Sequence, residues 1–400
     1  MYPSPITVVH SIPSWLPQTQ TWLHTQISNL PVTIRSHIVC EQTENLGQFN
    51  LPNIVDLSKV TTRERIWLKV QRSLTGGKRG YPLEKRALHC KAQVLHSHFG
   101  NVGWLNLAAG KAANLKHAVT FYGLDVGYLP RLDTRWRDRY RRMFEQVDCV
   151  LCEGPHMAGS IQELGCPPSK LKVHHLGVRL RDIPFHPRTW DGRAPLRILL
   201  AAAFREKKGL PYALKALGKL RQRLPLEITI IGDASSADSR SLQEKEKILT
   251  TIVCEKLNGK VRLLGYQPHS IFLEESYRHH VFLSPSITAE DGDTEGGAPI
   301  SIVEMAASGI PVVSTVHCDI PAVIRHQVTG LLAAERDVEG LLCQLTWLIE
   351  NRDNWAQLLT SARKHIETEF NSCLQGERLA GIYSELIDPA LGNAEQTGTM

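Results

Sequence analysis

The chain has 400 residues, 42% of them hydrophobic and 22% charged, with a formal net charge of +6; this is the profile of a globular protein with apolar surface to bury, and it excludes a low-complexity or disordered chain. No apolar run approaches the roughly 18 residues that a membrane-crossing helix needs, and Met1 to Ser11 lacks the basic flank and apolar core of a secretion signal, so a cytoplasmic location is expected. Nine cysteines scattered from Cys40 to Cys373 do not make a disulfide framework in so long a chain, and the single CxxC at Cys149 and Cys152 lacks the second pair that a structural zinc site needs.

Short β-branched runs then alternate with helical patterns: Ile6 to Ile12, Val32 to Val39, Val94 to His98, Ala118 to Tyr122, Val147 to Cys152 and Lys172 to Leu176. The alternation predicts a parallel sheet with crossover helices, a first domain over residues 1–183. Pro184 to Pro195 carries prolines and charges without periodicity and reads as a linker. A second series follows in Leu196 to Phe204, Glu227 to Gly232, Val261 to Gly265, Val281 to Pro285 and Ile310 to Ser314. Its continuous hydrophobicity fits strands covered on both faces, which predicts a second doubly wound sheet over residues 196–365. The spacing of Trp355, Leu358, Leu359, Ala362 and Ile366, continued by Phe370 to Leu386, predicts closing helices. Residues 366–388 are expected to pack back on the first domain, and residues 389–400 to form a flexible tail. The fold class is α/β, two Rossmann-like domains facing a central cleft, because ligands of such sheets bind beyond the carboxyl ends of the strands.

Charge is concentrated in one place. Arg131, Arg135, Arg137, Arg139, Arg141 and Arg142 lie within twelve residues, with Trp136 and Tyr140 between them. Guanidinium groups pair with phosphate in a fixed fork geometry, so the cluster suits an anionic acceptor or a phospholipid surface; a solvated helix face is the alternative. No recognised nucleic-acid module accompanies it, and nucleic acid is not an expected partner.

The segment Asp291 to Thr315 concentrates the chemistry. Gly296 and Gly297 let the backbone approach a ligand closely, and a helix from about Pro299 to Ser308 offers unpaired N–H groups to an anion such as a diphosphate. Glu304, inside that helix, can accept two hydroxyl protons from a ribose. Gly309 and Pro311 stop the helix before the strand Val312 to Ser314. A second segment, Ala201 to Leu210, comes after a buried strand and holds Arg205 and Lys208 where basic side chains would face the cleft. The plainer readings are an ordinary βα loop and a solvated basic loop. In the first half, Leu95 to Gly100 holds His98, and Val119 to Asp125 holds Tyr122 and Asp125. His98 reads equally as a structural histidine, and Asp125 equally as a cap for the next helix. Asp291 and Asp293 form an Asp-x-Asp, which on one loop is weak ground for a metal site.

From Leu16 to Tyr383 these segments resemble glycosyltransferase family 4, in particular bacterial enzymes of exopolysaccharide and colanic-acid type. The resemblance implies the GT-B architecture and a retaining enzyme, independent of metal and cofactor. It implies transfer of a hexose from a nucleoside diphosphate sugar donor to a glycan or lipid-linked acceptor, to which the arginine cluster Arg131 to Arg142 adds an expected contact with an anionic membrane. In the family a Glu, seven residues, then a Glu bracket the nucleotide sugar. Glu304 matches the second, at the ribose, and Glu295 takes the place of the first, at the donor sugar hydroxyls, with one extra residue in Gly296-Gly297-Ala298. Gly296, Gly297, Ala298, Pro299 and Ile300 then line the donor. Lys208 before Gly209 matches the family's Lys-Gly at the diphosphate, and Arg205 substitutes for a Gly-Arg pair replaced here by Ala202-Ala203. By resemblance Arg205, Lys208, Glu295 and His98 are catalytic, and Tyr122, where relatives carry His, lies with Asp125 on the acceptor side or its loop. A sugar-nucleotide epimerase of the same build and a non-catalytic nucleotide-binding or membrane-surface protein are the competing classes.

Overall fold

Apolar runs form parallel strands in both halves of the chain. The structure, a computed structural model, describes residues 5–17, 20–76 and 81–390. Its contacts divide the chain into a first unit, Met1–Gly177 with Ser372–Met400, and a second, Val178–Asn371. The expected tail beyond residue 390 and residues 18 and 19 lie outside the described residues.

The first unit holds strands β1 (Ile6–Trp15), β2 (Ile34–Thr43), β3 (Ile54–Asp56), β4 (Val94–His98), β5 (Lys116–Thr120), β6 (Cys149–Cys152) and β7 (Leu171–Val173). They make one parallel sheet in the order β3-β2-β1-β4-β5-β6-β7. Parallel neighbours need crossover connections, and the helices of those crossovers cover the sheet. The helices include α1 (Thr62–Leu74), α2 (Pro82–His89), α3 (Gly100–Ala112) and α4 (Arg135–Gln146). Val9, Val39 and Leu95 pack on Leu83 and Ala87 of α2 and Ala109 of α3, while Val119 and Val150 pack on Met143 and Phe144 of α4. Each large apolar side chain so buried contributes about 1.5–3 kcal/mol relative to leaving it in water.

The second unit holds β8 (Leu196–Ala201), β9 (Leu226–Ile231), β10 (Val261–Leu263), β11 (Val281–Ser284), β12 (Val312–Thr315) and β13 (Leu331–Ala333), parallel in the order β10-β9-β8-β11-β12-β13. Its helices include α5 (Leu210–Leu220), α6 (His269–Arg278), α7 (Ile300–Ser308) and α8 (Trp355–Glu369). Ile198 and Leu200 cluster with Leu214 and Leu217 of α5, whereas Leu199, Phe282 and Val312 cluster with Ile302 and Met305 of α7 and Ile366 of α8. Successive strand residues thus enter two separate cores, which is the cause of the unbroken apolar runs. The short strands β3 and β13 were not anticipated.

Three expected boundaries move. The units divide at Gly177, not at residue 183, because Val178 and Ile183 are buried in the second core and the Val178 amide donates to the Phe370 carbonyl (2.8 Å). Pro184 to Pro195 is not a free linker. The His186 and Arg188 amides donate to the Ser308 and Gly309 carbonyls (3.0 and 2.8 Å), Trp190 is buried, and Gly309 has φ 86° and no room for a Cβ, which would meet the His186 carbonyl carbon at 2.8 Å. The expected closing segment 366–388 is two pieces: residues 366–369 are the last turn of α8, with Ile366 in the second core, and α9 (Ser372–Ile387) packs Leu379, Ala380 and Tyr383 against Val8, Val94 and Ala118 of the first sheet.

Candidate functional site

In the second unit the loop between β8 and α5 and the loop between β11 and α7 lie against each other beyond the strand ends. The Ile287 amide donates to the Lys207 carbonyl (2.8 Å), and Gly209, at φ 63°, sits so close that a Cβ would stand 1.9 Å from the Pro285 oxygen. Only glycine meets both demands, which ties the Lys-Gly pair to the fold as well as to charge.

Onto the acidic loop this arrangement brings three cations. Lys208 Nζ is 2.8 Å from Glu295 Oε2, Lys207 Nζ is 3.1 Å from Asp293 Oδ1 and donates to the Thr294 carbonyl (2.8 Å), and Arg205 is 3.1 Å from Asp293 Oδ2. The Ser286 hydroxyl donates to Glu295 Oε1 (2.7 Å), so both carboxylate oxygens are satisfied. Burial alone would raise the Glu295 pKa, but the Lys208 and Lys207 ammonium groups and the hydrogen bonds from Lys208 and Ser286 outweigh it and hold the group at about 2. The Glu295 amide donates to His317 Nε2 (3.1 Å), which leaves the ring proton on Nδ1 to donate to Glu335 (2.6 Å). Asp291 faces Arg240 and Asp293 faces Arg205 and Lys207, so each carboxylate of the Asp-x-Asp already holds a cation. Arg205, Lys207, Arg240 and Lys247 line a cleft of about 230 Å³.

The glycine pair comes directly after. Gly296 takes φ 78° and its amide donates to the Thr294 hydroxyl (3.2 Å), while Ala298 and Ile300 rest on the second core and anchor the start of α7. Pro299 stands at the N-cap of this nine-residue helix, and no side chain caps it. The positive end of the helix dipole and its amide groups are therefore turned toward the same loop that carries Glu295. One turn on, Glu304 Oε1 is 2.7 Å from His269 Nε2 at the start of α6. The Glu304 hydrogen bond and charge outweigh burial and raise the His269 pKa. Lys208, Glu295, Glu304 and the start of α7 thus all belong to one unit, together with Arg205.

The sequence did not single out Lys207, Asp293 as an ion-pair partner, Ser286, His269 or His317. Lys207 was visible beside Lys208; the others come from separate segments whose approach only the fold decides.

In the first unit the structure places His98, Tyr122 and Asp125 in one buried polar network. His98 is fully buried with both ring nitrogens engaged, Nδ1 with the Tyr122 hydroxyl (2.6 Å) and Nε2 with His10 Nδ1 (3.1 Å). His10 lies opposite His96 in the β1–β4 register, and His96 bonds the hydroxyls of Tyr383 (2.7 Å) and Thr120 (2.6 Å). His10, His96 and His98 bring ligand nitrogens within 4.8 Å of one another, yet every ring nitrogen of the three except His10 Nε2 has a protein partner. Trp22 packs on Tyr122 with ring centroids 4.3 Å apart. Asp125 does not cap a helix downstream of it. Its Oδ1 accepts from the Tyr122 amide (2.9 Å) and its Oδ2 from the Gly100 amide (2.6 Å), so it reaches back to the start of α3 and braces the turn carrying Tyr122. Burial lifts its pKa to about 6 against the pull of those amides.

The arginine cluster falls mainly on α4, where the structure partly neutralises it. Arg135 is 2.9 Å from Asp133, Arg141 is 3.4 Å from Asp138, and Arg139 stacks over Trp136; Arg137 and Arg142 are exposed.

Residues 34–182 match the sequence profile of Glycosyltransferase Family 4, and residues 195–351 that of Glycosyl transferases group 1. The chain is similar to the amylovoran biosynthesis glycosyltransferase AmsK of Erwinia amylovora, 33% identical over 299 residues that cover 74% of this chain and 70% of AmsK. It is also similar to the putative colanic acid biosynthesis glycosyltransferase WcaL of Escherichia coli, 31% identical over 308 residues that cover 74% of this chain and 71% of WcaL. Among solved structures, a glycosyltransferase from Rickettsia africae superposes with a TM-score of 0.74 at 16% identity, covering 96% of this chain and 99% of its own. Anabaena HepE, solved with UDP and glucose, superposes with a TM-score of 0.71 at 13% identity, covering 95% of this chain and 100% of its own. At these identities the structural likeness carries the fold, which is GT-B.

Proposed function

The chain belongs to glycosyltransferase family 4, and from that premise we propose that it transfers a hexose, with retention of the anomeric configuration, from a nucleoside diphosphate sugar to a glycan or lipid-linked acceptor in exopolysaccharide or cell-surface glycan assembly. The observation that carries this reading is the grouping, in one unit, of the Lys208–Glu295 pair, the uncapped start of α7 and Glu304. In it the diphosphate lies against the α7 amides and the Lys208 ammonium, and Arg205 adds charge as the leaving group becomes more anionic. Fixed cations of this kind act most strongly as the charge develops, and each is worth roughly 3–4 kcal/mol in a site sheltered from water. Glu304 accepts the ribose hydroxyls in place of its bond to His269. Glu295, kept ionised by its two lysines, accepts the hydroxyls of the donor sugar. The solved complex of HepE with UDP and glucose supports a nucleotide-sugar donor.

In a same-face substitution a donor phosphate oxygen takes the proton of the incoming hydroxyl, so no protein nucleophile is called for, and Lys208 with Arg205 serves where other transferases use a metal ion. His98, with both nitrogens bonded, acts through the Tyr122 hydroxyl rather than by touching substrate. Arg137 and Arg142 of α4 supply contact with anionic lipid, the surface from which a lipid-linked acceptor is presented.

The test is release of nucleoside diphosphate that depends on added acceptor. Lys208→Ala and Glu304→Ala should each lose transfer while remaining folded, and unchanged activity in both would refute the site; an epimerase would instead interconvert donor sugars without acceptor. A thermal-shift screen of UDP-, GDP- and ADP-sugars identifies the donor, since a ligand at about 100 times its Kd adds about 2.7 kcal/mol.

A further inference from the structure

Between β11 and α7 the loop that carries Glu295 is anchored twice, by one pair of side chains to which the transfer reading gives no task. The Thr288 amide donates to Glu335 Oε2 (2.7 Å), just past the end of β13, and the Glu295 amide donates to His317 Nε2 (3.1 Å), just past the end of β12. His317 Nδ1 stands 2.6 Å from Glu335 Oε1, so the two anchors are tied to each other. Inside the loop the Ala289 amide donates to the Asp293 carbonyl (2.9 Å) and folds the stretch between the anchors back on itself. The Arg336 guanidinium donates to the Thr288 carbonyl and lies 3.6 Å from Glu335, which secures the first anchor.

The atoms of this clamp divide the work. Glu335 takes the Nδ1 proton, which leaves the neutral ring one lone pair, on Nε2, and both the Glu295 amide and the Cys318 thiol (3.2 Å) turn to it. Burial alone would raise the Glu335 pKa, but hydrogen bonds from Thr288 and His317 outweigh it and hold the carboxyl below its usual value. The His317 side chain is itself buried, so solvent does not replace it as an acceptor. Its bond also differs in kind from those at the other end of Glu295. Lys208 and Ser286 occupy the carboxylate oxygens, where a ligand hydroxyl competes with them, whereas the amide bond to His317 uses no carboxylate oxygen. Glu304 and the start of α7 are positioned by other contacts, His269 and the second core.

We propose that His317, oriented by Glu335, is the positioning residue for Glu295: it fixes the backbone that presents the carboxylate to the donor sugar, and so governs recognition of the sugar rather than of the nucleotide. This rests on the reading of Glu295 as the acceptor of donor sugar hydroxyls, and it deepens that reading. A group held within a fraction of an ångström by partners that the ligand does not displace is already in place when the ligand arrives.

The experiment measures, by calorimetry on the full chain, the affinity for a nucleotide sugar relative to that for its nucleotide: UDP-glucose with UDP, GDP-mannose with GDP, and ADP-glucose with ADP. His317→Ala should lower that ratio about tenfold and leave the nucleotide affinity within about twofold, since one buried amide loses its partner. His317→Gln, whose side-chain oxygen can accept from the Glu295 amide, should restore most of the ratio. Hydrogen exchange of the unliganded chain should rise over Thr288 to Glu295 in His317→Ala and stay unchanged in α7. Should His317→Ala not fold, Glu335→Gln carries the test: its single acceptor oxygen leaves either the Thr288 amide or the ring N–H unpaired, and the ratio should fall about threefold. An unchanged ratio, an equal loss for nucleotide and nucleotide sugar, or unaltered exchange over Thr288 to Glu295 overturns the role of His317. A wild type that binds none of the three pairs overturns the transfer reading instead, and the exchange measurement then still decides the clamp.

Discussion

In and just after strands β1, β4 and β5 of the first unit lie His10, His96, His98, Thr120 and Tyr122, neutral groups sealed by hydrogen bonds; beyond the strand ends of the second unit Arg205, Lys207 and Lys208 face Asp293 and Glu295 as ions. Burial in the first unit lowers the pKa of His10 to about 3, with His37 adding to it, and drives His96 and His98 well below their usual value; burial also takes His117 and His174 down to about 4. In the second unit burial is outweighed by opposite charge, and Glu295 stays ionised. The same sheet geometry thus supports two solutions to polar burial. One removes charge and satisfies nearly every donor; the other keeps charge and pairs it.

Acid should separate the two units by the largest margin. A histidine held neutral when folded takes up a proton on unfolding below about pH 6.5, so its contribution to stability is lost as pH falls from there toward its folded value. The loss is about 1.4 kcal/mol per pH unit for each such histidine. His10, His96 and His98 together make the first unit yield by several kcal/mol between about pH 6.5 and 4.5. The depressed pKa of Glu295 costs the second unit nothing until pH drops below about 4.5, toward 2. His279 and His280 of the second unit are also lowered, His280 to about 4, and the raised His269 only adds a constant contribution below about pH 6.5; with fewer such histidines than the first unit, the second unit should lag. Hydrogen exchange read by mass spectrometry at falling pH tests this, and exchange that rises first in strands β8 to β13 would break the comparison.

Lys208→Ala probes the charged solution, with an expected loss of about 10²–10³ in kcat. Asp125→Ala probes the sealed one: it orphans the Gly100 and Tyr122 amides and should cost about 1–3 kcal/mol in urea unfolding, with little effect on donor binding to the second unit. The smallest effect is local. Glu304→Gln should bring the His269 titration, followed by NMR, down toward the ordinary histidine value. His269 stabilises the fold below its unfolded pKa, and that contribution fades as pH rises through the raised folded value.

Much of the charged site was legible because its parts are consecutive. Lys208-Gly209 and Glu295-Gly296-Gly297 announce a cation and an anion beside backbone turns that need glycine, and Glu304 lies at helical spacing in the same segment. The sealed network was not legible. His10 and His96 meet only because β1 pairs with β4 in that register, and Tyr383 arrives from a helix that crosses back from the far end of the chain. Asp125 read equally as a cap for a downstream helix and as a substrate contact, but its carboxylate serves a helix start 25 residues earlier. The prolines of Pro184 to Pro195 erased periodicity and suggested a linker, although the backbone there is hydrogen-bonded to the end of α7.

Sequence by itself determined the strand runs, the two sheets and the glycine-bounded loops, since burial on both faces and positive φ leave marks on adjacent residues. Tertiary structure alone decided which side chains pair. Lys208 for Glu295, His269 for Glu304, His10 for His98 and the Gly100 amide for Asp125 all come from other segments of the chain, and a contact between distant segments is set by sheet order and register, which no local pattern records.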